Sequence, residues 1–308
     1  SLKVAGCGAA PMPVELFNKF QKATGVRIAE GYGLTEATVC STMCSPAAVP
    51  PRIGSIGLRI PYTQVKAGII DGDGKFVRDC AVDEVGAVLI NGPSVTPGYT
   101  DSSKNSSLFV TDSNGDVWLN SGDLARQDAD GYFWLTGRSK ELIIRGGHNI
   151  DPKTIEETLA SHPAVNLAAA VGRPDSYAGE VPVAYVDTVS ATTEAELLEF
   201  CRQNIRERAA VPKAVTILDS LPVTGVGKIH KPTLNLMELK LVVERELVQL
   251  QDDLESYSVD PQSDSKLGNI AHITIRCVEG VTPADVEAEV RKVLGAFSFA
   301  CTLDVRGH

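Results

Sequence analysis

Between residues 51 and 137, short apolar segments alternate with strong turn signals, and this pattern limits the fold more than any other feature of the chain. Apolar alternation that is interrupted by glycine, proline and asparagine is typical of short strands. The turn signals are Asp71-Gly72-Asp73-Gly74, Asn91-Gly92-Pro93, Pro97-Gly98 and Asn114-Gly115. We therefore predict a small β-rich, barrel-like subdomain over residues 51–137, with residues 86–90 as an inner strand.

The segments on either side of this subdomain combine helices with strands. Before it, residues 12–23 predict a helix and residues 26–30 a short buried strand, so residues 1–50 form an α/β segment. After it, Asp151-Pro152 and Thr193-Glu194-Ala195-Glu196 are helix-start signals, and strands are predicted at residues 167–171, 182–186 and 214–218. In open α/β sheets ligands bind at the carboxyl ends of strands, which makes the loop after residue 30 a candidate site.

From residue 237 the sequence predicts a separate tail. Apolar residues recur at spacings of four and three between positions 239 and 254, as in an amphipathic helix. The polar residues 255–269 indicate a linker, and the remainder predicts a strand, a helix and a final strand. We interpret residues 237–308 as a helix followed by a β-α-β appendage, which is a candidate surface for a homo-oligomer or another partner.

A glycine-rich segment sets one lysine apart from the others. Lys228 lies in Leu221-Pro222-Val223-Thr224-Gly225-Val226-Gly227-Lys228-Ile229, which predicts an exposed, mobile loop. A lysine ammonium is a point charge with three rotatable donors, suited to an anionic oxygen. Most lysines are ordinary solvated side chains, so this segment alone does not decide between the two interpretations.

Three further motifs precede the Lys228 loop in order. They are Gly31-Tyr32-Gly33-Leu34-Thr35-Glu36, then Ser121-Gly122-Asp123 with Gly137-Arg138-Ser139-Lys140, and finally Gly146-Gly147-His148-Asn149-Ile150-Asp151-Pro152. With the Lys228 loop, they resemble the adenylate-forming superfamily of acyl-CoA synthetases, peptide-synthetase adenylation domains and luciferases. The resemblance implies an α/β and α+β fold. Residues 1–138 would be the C-terminal part of a large AMP-binding domain, and residues 139–236 a small mobile lid domain.

The resemblance implies an AMP-forming acyl-CoA synthetase that acts on a fatty or other hydrophobic acid. Such an enzyme joins the carboxylate to the α-phosphate of ATP, releases pyrophosphate, and then transfers the acyl group to coenzyme A. The flat ring of Tyr32 would lie against adenine, Asp123 and Arg138 would hold the ribose, and small residues would let the backbone approach the base. The implied ATP/AMP contacts are Ala9, Ala10, Pro11, Gly31, Tyr32, Gly33, Asp123 and Arg138.

The anionic transition state of adenylation requires Mg²⁺ and a positioned cation. The resemblance implies that Glu36 is the Mg²⁺ ligand and that Thr35 contacts the α-phosphate. Lys228 would bridge the carboxylate and the α-phosphate.

The same resemblance implies a moving lid. Lys140 would be the hinge about which the small domain rotates. Rotation would carry Lys228 out and bring Gly146 and Gly147 beside the pantetheine arm of coenzyme A, where glycines leave room for close approach.

The sequence departs from the family pattern in three respects. His230-Lys231-Pro232 follows the lysine motif where the family usually has one or two arginines, and Ser121 replaces the commoner threonine. The family's N-terminal half is absent, and with it the Ser/Thr/Gly-rich loop that cradles the β- and γ-phosphates. We therefore expect the C-terminal half of a longer enzyme, with little or no ATP-dependent pyrophosphate release by this chain alone.

The composition argues against several other classes of protein. A hydrophobic content of 43% and a charged content of 22% are those of a soluble globular protein. The net charge of −10 argues against a nucleic-acid-binding surface, and no apolar run reaches the length of an integral membrane segment. The seven cysteines contain no CxxC pair and indicate reduced thiols in a cytoplasmic protein rather than a metal site or disulfides.

Two alternatives stay open from the sequence. An adenylation domain that loads a carrier protein would use the same motifs, although this sequence contains no carrier-protein module. A non-catalytic adenylate-binding or interaction module would keep the adenosine contacts and recruit a partner through the tail. The joint presence of Glu36, Asp123 and Lys228 favours an enzyme over such a module.

Overall fold

The computed structural model describes residues 2–9, 12, 14–45, 47, 52–225, 227–264 and 268–308, without the side chains of Glu15 and Lys140. The chain divides into two compact units, Ser1–Glu141 and Leu142–His308. The helices in the described part are α1 (Val14–Thr24), α2 (Pro152–Ala160), α3 (Glu194–Asn204), α4 (Lys231–Leu247) and α5 (Pro283–Leu294). Within these ranges, no helix combines the length and the apolar character that a membrane crossing requires.

The first unit begins with a small mixed sheet. Its strands are β1 (Ala5–Cys7), β2 (Ile28–Tyr32), β3 (Thr42–Met43) and β4 (Leu58–Arg59), in that order across the sheet. β1 and β2 run parallel, with α1 as the connection between them, whereas β3 pairs antiparallel with both β2 and β4. The predicted helix and strand of the α/β segment are therefore present, and the strand extends to Tyr32 rather than ending at residue 30.

A second sheet in the first unit is entirely antiparallel. Its strands are β5 (Gln64–Ile70), β6 (Phe76–Asp79), β7 (Val85–Asn91), β8 (Phe109–Thr111), β9 (Val117–Gln127) and β10 (Phe133–Arg138). The order is β10-β9-β7-β5-β6, and β8 pairs with β9. Gly74 and Gly115, at φ angles of 79° and 86°, supply left-handed residues in two of the predicted turns. The prediction of a β-rich subdomain is confirmed.

The second unit contains a sheet with helices on both faces. Its strands are β11 (Ile143–Arg145), β12 (His148–Ile150), β13 (Val165–Asp175), β14 (Gly179–Thr188) and β15 (Val215–Ile217). The order is β12-β11-β14-β13, so β13 lies at one edge, and β15 pairs with β14. Side chains alternate along β13: Ala168 and Ala170 pack with α2 and α3, whereas Ala169 and Val171 pack with Leu234 of α4.

The last sheet of the second unit corrects part of the sequence prediction. Its strands are β16 (Leu254–Asp264), β17 (Gly268–Cys277) and β18 (Ala300–Arg306), in that order. β17 and β18 are parallel and are joined through α5, so the predicted β-α-β arrangement is present. The predicted linker over residues 255–269 is wrong, because residues 254–264 pair with β17 along a long hairpin. An edge strand with one solvated face can be almost wholly polar, and this one buries only Leu254 and Val259.

The helix that precedes this sheet also differs from its predicted extent. α4 begins at Lys231, six residues before the predicted boundary at residue 237, and packs against both β13 and β16. Pro232 occupies the first turn of α4, where a missing N–H costs nothing. The helix therefore belongs to both sheets of the second unit.

Candidate functional site

In the first unit, the segment that contains Ala9 and the segment that contains Thr35 and Glu36 follow the carboxyl ends of two neighbouring strands of the mixed sheet. Because β1 and β2 are parallel, the segments that follow them leave the sheet on the same side. Ala9 follows β1 with a φ of 67°, and a short 3₁₀ turn at Thr35–Ala37 follows β2. The two backbones are close, since a Cβ atom at Gly8 would lie 3.1 Å from the carbonyl oxygen of Gly31. Ala10 and Pro11 lie outside the described residues.

The turn that carries Thr35 and Glu36 is tightly determined by its backbone. A Cβ atom at Gly33 would lie 1.9 Å from the carbonyl oxygen of Val39, so only glycine fits there. Thr38 and Val39 have φ angles of 54° and 77°, which are costly for β-branched residues. Such strain persists only where surrounding contacts enforce it, and strained residues cluster at functional sites.

Asp123 is the centre of the polar cluster in this unit. Its carboxylate accepts a hydrogen bond from the Tyr32 hydroxyl at 2.6 Å and another from Nε of Arg138 at 2.8 Å. The Asp123 side chain is 12% exposed, whereas the Arg138 side chain is 62% exposed. A carboxylate offers about four lone-pair sites, so the two partners leave acceptor capacity for a ligand. Three residues that the sequence assigned to one nucleotide are therefore in direct contact.

The side chain of Tyr32 is largely buried. It packs in the core with Ala37 and Phe133, among others. Burial, together with the neighbouring Asp123 carboxylate, raises the pKa of the Tyr32 phenol well above its usual value. The hydroxyl is therefore a permanent donor to Asp123. Tyr32 thus has a structural role beside the adenine contact that the resemblance implies.

Glu36 has a partner that the sequence analysis missed. The hydroxyl of Tyr99 donates a hydrogen bond to Oε1 of Glu36, and the amide of Thr96 donates to the Glu36 carbonyl oxygen at 2.8 Å. A third hydrogen bond joins the same two segments, because the hydroxyl of Thr38 donates to the carbonyl oxygen of Ser94 at 2.7 Å. The turn signal Pro97-Gly98 precedes Tyr99 directly, but nothing in it pointed to Glu36.

Lys228 lies in the second unit, on a closed hairpin. Val223 and Ile229 form a β-bridge, and the Thr224 amide donates to the Lys228 carbonyl oxygen at 2.7 Å. Gly227 has a φ of 79°, as the turn requires, and the Lys228 side chain is exposed. The predicted loop is therefore a hydrogen-bonded hairpin that presents a lysine at its end.

Gly146 and Gly147 form the two-residue turn between β11 and β12. Their φ angles are 56° and 83°, and two positive values are what a type I′ hairpin turn needs. A Cβ atom at either glycine would meet nothing within 4 Å, so backbone conformation rather than crowding in this unit requires glycine. The Gly146 amide donates to the Ala178 carbonyl oxygen at 2.7 Å.

Two family profiles match the sequence. The profile of the AMP-binding enzymes matches residues 1–100, and that of the AMP-binding enzyme C-terminal domain matches residues 154–228. The matched ranges together cover more than half of the chain.

Several curated relatives are CoA ligases. The chain is 44% identical over 306 residues to marinolic acid–CoA ligase of Pseudoalteromonas sp. (strain SANK 73390), covering 98% of this chain and 46% of the relative. It is 36% identical to the long-chain-fatty-acid–CoA ligase of Bacillus subtilis (strain 168), over 74% of this chain and 40% of the relative. The chain spans about half the length of the curated relatives it matches.

Solved structures show the same similarity. ATP-bound MatB from Rhodopseudomonas palustris aligns with a TM-score of 0.69 at 26% identity, over 77% of this chain and 45% of that protein. The o-succinylbenzoate CoA synthetase from Bacillus subtilis, in complex with its acyl-adenylate intermediate, aligns with a TM-score of 0.66 at 30% identity, over 76% and 46%. The predicted fold class is confirmed.

Proposed function

The chain belongs to the AMP-binding, adenylate-forming enzymes, and on that premise we propose that it is the C-terminal portion of an AMP-forming acyl-CoA synthetase. The reaction has two steps. A carboxylate oxygen attacks the α-phosphorus of ATP and pyrophosphate leaves; the thiol of coenzyme A then attacks the acyl carbon, loses its proton, and AMP leaves. The observation that carries the proposal is the Asp123 carboxylate, which is held by Arg138 and by Tyr32, the last residue of β2 before the turn that bears Glu36.

We assign the adenosine moiety to the first unit. A buried carboxylate with unused acceptor sites is suited to two adjacent ribose hydroxyls, and the exposed part of Arg138 can add a donor. Tyr32 with Gly31 and Gly33 would border the adenine, together with the segment that contains Ala9. The same assignment extends to Ala10 and Pro11 by sequence alone.

The residues present fit a Mg²⁺ ion that is shared with phosphate oxygens. Mg²⁺ in nucleotide sites is held by one or two carboxylates plus phosphates, and Glu36 supplies one carboxylate whose orientation Tyr99 fixes. Bound Mg²⁺ would neutralise charge on the phosphates. The hydroxyl of Thr35, on the exposed side of the same turn, would contact the α-phosphate.

We assign Lys228 to the adenylation step. Its ammonium would lie between the attacking carboxylate and the α-phosphate, where negative charge is greatest in the transition state. An interaction of this kind lowers the barrier more than it strengthens ground-state binding. The hairpin holds the backbone around Lys228 and leaves its side chain exposed.

The second step, thioester formation, would use another loop of the second unit. We propose that rotation at Lys140 replaces the Lys228 hairpin by the Gly146–Gly147 turn, which would border the pantetheine arm of coenzyme A. The exposed turn has room for a ligand, because nothing in its own unit lies within 4 Å of the Cβ positions.

A cytoplasmic location and a homo-oligomer formed through the tail also stay proposals.

The acid is proposed to be fatty or otherwise hydrophobic. The support is the activity for which relatives are named, since these include ligases of marinolic acid and of long-chain fatty acids. Coenzyme A is preferred over a carrier protein as the acceptor because these relatives are named as CoA ligases.

The test is thioester formation by the complete enzyme, over a panel of acids with ATP and Mg²⁺. We expect an acyl-CoA product and AMP with at least one hydrophobic acid. Acyl transfer to a carrier protein but not to coenzyme A would select the adenylation-domain alternative. Nucleotide binding with no product from any acid would select the non-catalytic module.

A further inference from the structure

An ion pair in the second unit joins two helices that lie on opposite faces of the same sheet. Nζ of Lys231 lies 2.8 Å from Oε1 of Glu156, and these side chains are only 17% and 22% exposed. Oε1 of Glu156 also accepts a hydrogen bond from the amide of Ala170 at 2.9 Å. One carboxylate therefore contacts the first residue of α4 and the backbone of β13 while belonging to α2.

The position of β13 makes this arrangement possible. β13 is an edge strand, with α2 packed on one face of its sheet and α4 on the other. Glu156 satisfies an edge amide of β13, and Lys231 reaches the same carboxylate from the opposite face. The pair thus fastens the two helices around the edge of the sheet.

Each of the two helices begins directly after one of the loops assigned to catalysis. Lys231 starts α4 three residues after Lys228, and the His230 amide donates to the Pro222 carbonyl oxygen at 2.8 Å. α2 follows β12, which forms a hairpin with β11 through the Gly146–Gly147 turn. Fixing the start of α4 against α2 therefore fixes the direction of the Lys228 hairpin relative to that turn.

We propose that Lys231 and Glu156 are positioning residues that hold the Lys228 hairpin and the Gly146–Gly147 turn in one rigid frame. The proposal rests on the proposed function, in which the two loops serve successive steps. If the second unit alternates between two orientations, each loop reaches its correct position only when both loops are held rigidly within that unit. Positional errors matter, since a misplacement of about 1 Å can cost roughly 100-fold in rate.

Burial distinguishes this pair from the surface ion pairs of the same helix. Lys240 and Glu244, also in α4, have side chains that are 50% and 41% exposed. Exposed pairs contribute little to stability, whereas breaking a buried pair leaves an uncompensated charge. Lys240→Met is therefore a matched control for Lys231→Met.

The first readout is hydrogen exchange in the complete enzyme without substrates. In Lys231→Met we expect the hydrogen-bonded amides of Thr224, Gly227 and His230 to exchange faster than in the wild type or in Lys240→Met. The Ala170 amide should change little, because its acceptor on Glu156 is retained. Glu156→Gln keeps an acceptor for the Ala170 amide, so it should loosen the hairpin with little change at Ala170. Lys231→Arg should resemble the wild type.

The second readout separates the two half-reactions. Lys231→Met should lower kcat about tenfold both for adenylation and for thioester formation from supplied acyl-adenylate, with the KM for the acid nearly unchanged. Lys228→Ala should lower only the first. The proposal would be overturned if Lys231→Met matched Lys240→Met in hydrogen exchange and in both rates. A wild-type enzyme that makes no thioester would instead contradict the proposed function, and the exchange data would then decide whether the loops share a frame.

Discussion

The hydroxyl of Tyr32 lies 2.6 Å from Oδ2 of Asp123, although the two residues are 91 positions apart in the sequence. This hydrogen bond joins the mixed sheet to the antiparallel sheet of the first unit, because Tyr32 ends β2 and Asp123 lies within β9. A motif at the end of one strand thereby orients a carboxylate in another. The proposed ribose contact depends on this link.

Removing that hydroxyl should weaken both folding and nucleotide binding. Tyr32→Phe keeps the ring in the core but withdraws one donor from a carboxylate that is 12% exposed. We expect the free energy of unfolding to fall by about 1–3 kcal/mol and AMP binding to weaken severalfold. Urea unfolding and AMP titration measure the two effects. Tyr62→Phe, at a residue that is 87% exposed, is the control and should change neither; equal behaviour of the two variants would contradict the assignment.

Tyr99→Phe should loosen the proposed Mg²⁺ ligand. The phenol of Tyr99 holds one oxygen of Glu36, and the same hydrogen bond raises the pKa of the phenol. Loss of a residue that orients a metal ligand typically costs about tenfold or more in metal affinity. We therefore expect Mn²⁺ to bind about tenfold more weakly in the presence of ATP. Electron paramagnetic resonance of Mn²⁺ measures this binding. Unchanged Mn²⁺ affinity would show that Glu36 needs no orientation by Tyr99.

Glu238 should be among the residues that matter most for the stability of the second unit. It is fully buried in α4, where it accepts hydrogen bonds from Arg173 and Tyr185. Glu238→Gln leaves the partly buried Arg173 without its counter-charge, and we expect a loss of roughly 3 kcal/mol in the free energy of unfolding. Glu244→Gln, on an exposed part of α4, should cost less than about 0.5 kcal/mol. Similar losses in the two variants would contradict this account.

Asp151 should make the second unit less stable as the pH rises. Burial, with a smaller contribution from Glu156, raises the pKa of this carboxyl from 3.8 to about 6. Between those values the folded state binds more protons than the unfolded state. The free energy of unfolding therefore falls with rising pH, by up to roughly 1.4 kcal/mol per pH unit, and levels off above the folded pKa.

Asp151→Asn tests this dependence, because asparagine keeps an acceptor for the Lys153 amide at the start of α2. The free energy of unfolding of the variant should change less between about pH 4 and pH 6 than that of the wild type. At pH 7 the variant should be more stable relative to the wild type than it is at pH 4. Parallel profiles for the two proteins in urea unfolding would show that Asp151 does not titrate in this range.

The sequence predicted local elements better than long-range contacts. The start of α2 and the capping box of α3 were predictable because side chains within three residues satisfy the first helical amides. β16 was not, since strand pairing depends on the distant β17 and its own residues are mostly polar. Hydrophobic periodicity carries no signal for such a strand.

The candidate site shows the same limit. Tyr32, Asp123 and Arg138 were named from separate motifs, and the structure places them in contact. Tyr99 was missed because its partner Glu36 is 63 residues away, and the Lys231–Glu156 pair because it forms across a sheet edge. The roles of all these residues in catalysis remain predictions.

The role of Lys228 in adenylation is tested most directly by comparing wild type and Lys228→Ala in the complete enzyme, with adenylation measured as acid-dependent pyrophosphate release. We expect the variant to lose about two or more orders of magnitude in kcat for this step, because a charge aimed at the transition state is removed. Thioester formation from supplied acyl-adenylate should be nearly unchanged. Pyrophosphate release that is equal in the two proteins would contradict the assignment of Lys228 and the mechanism built on it.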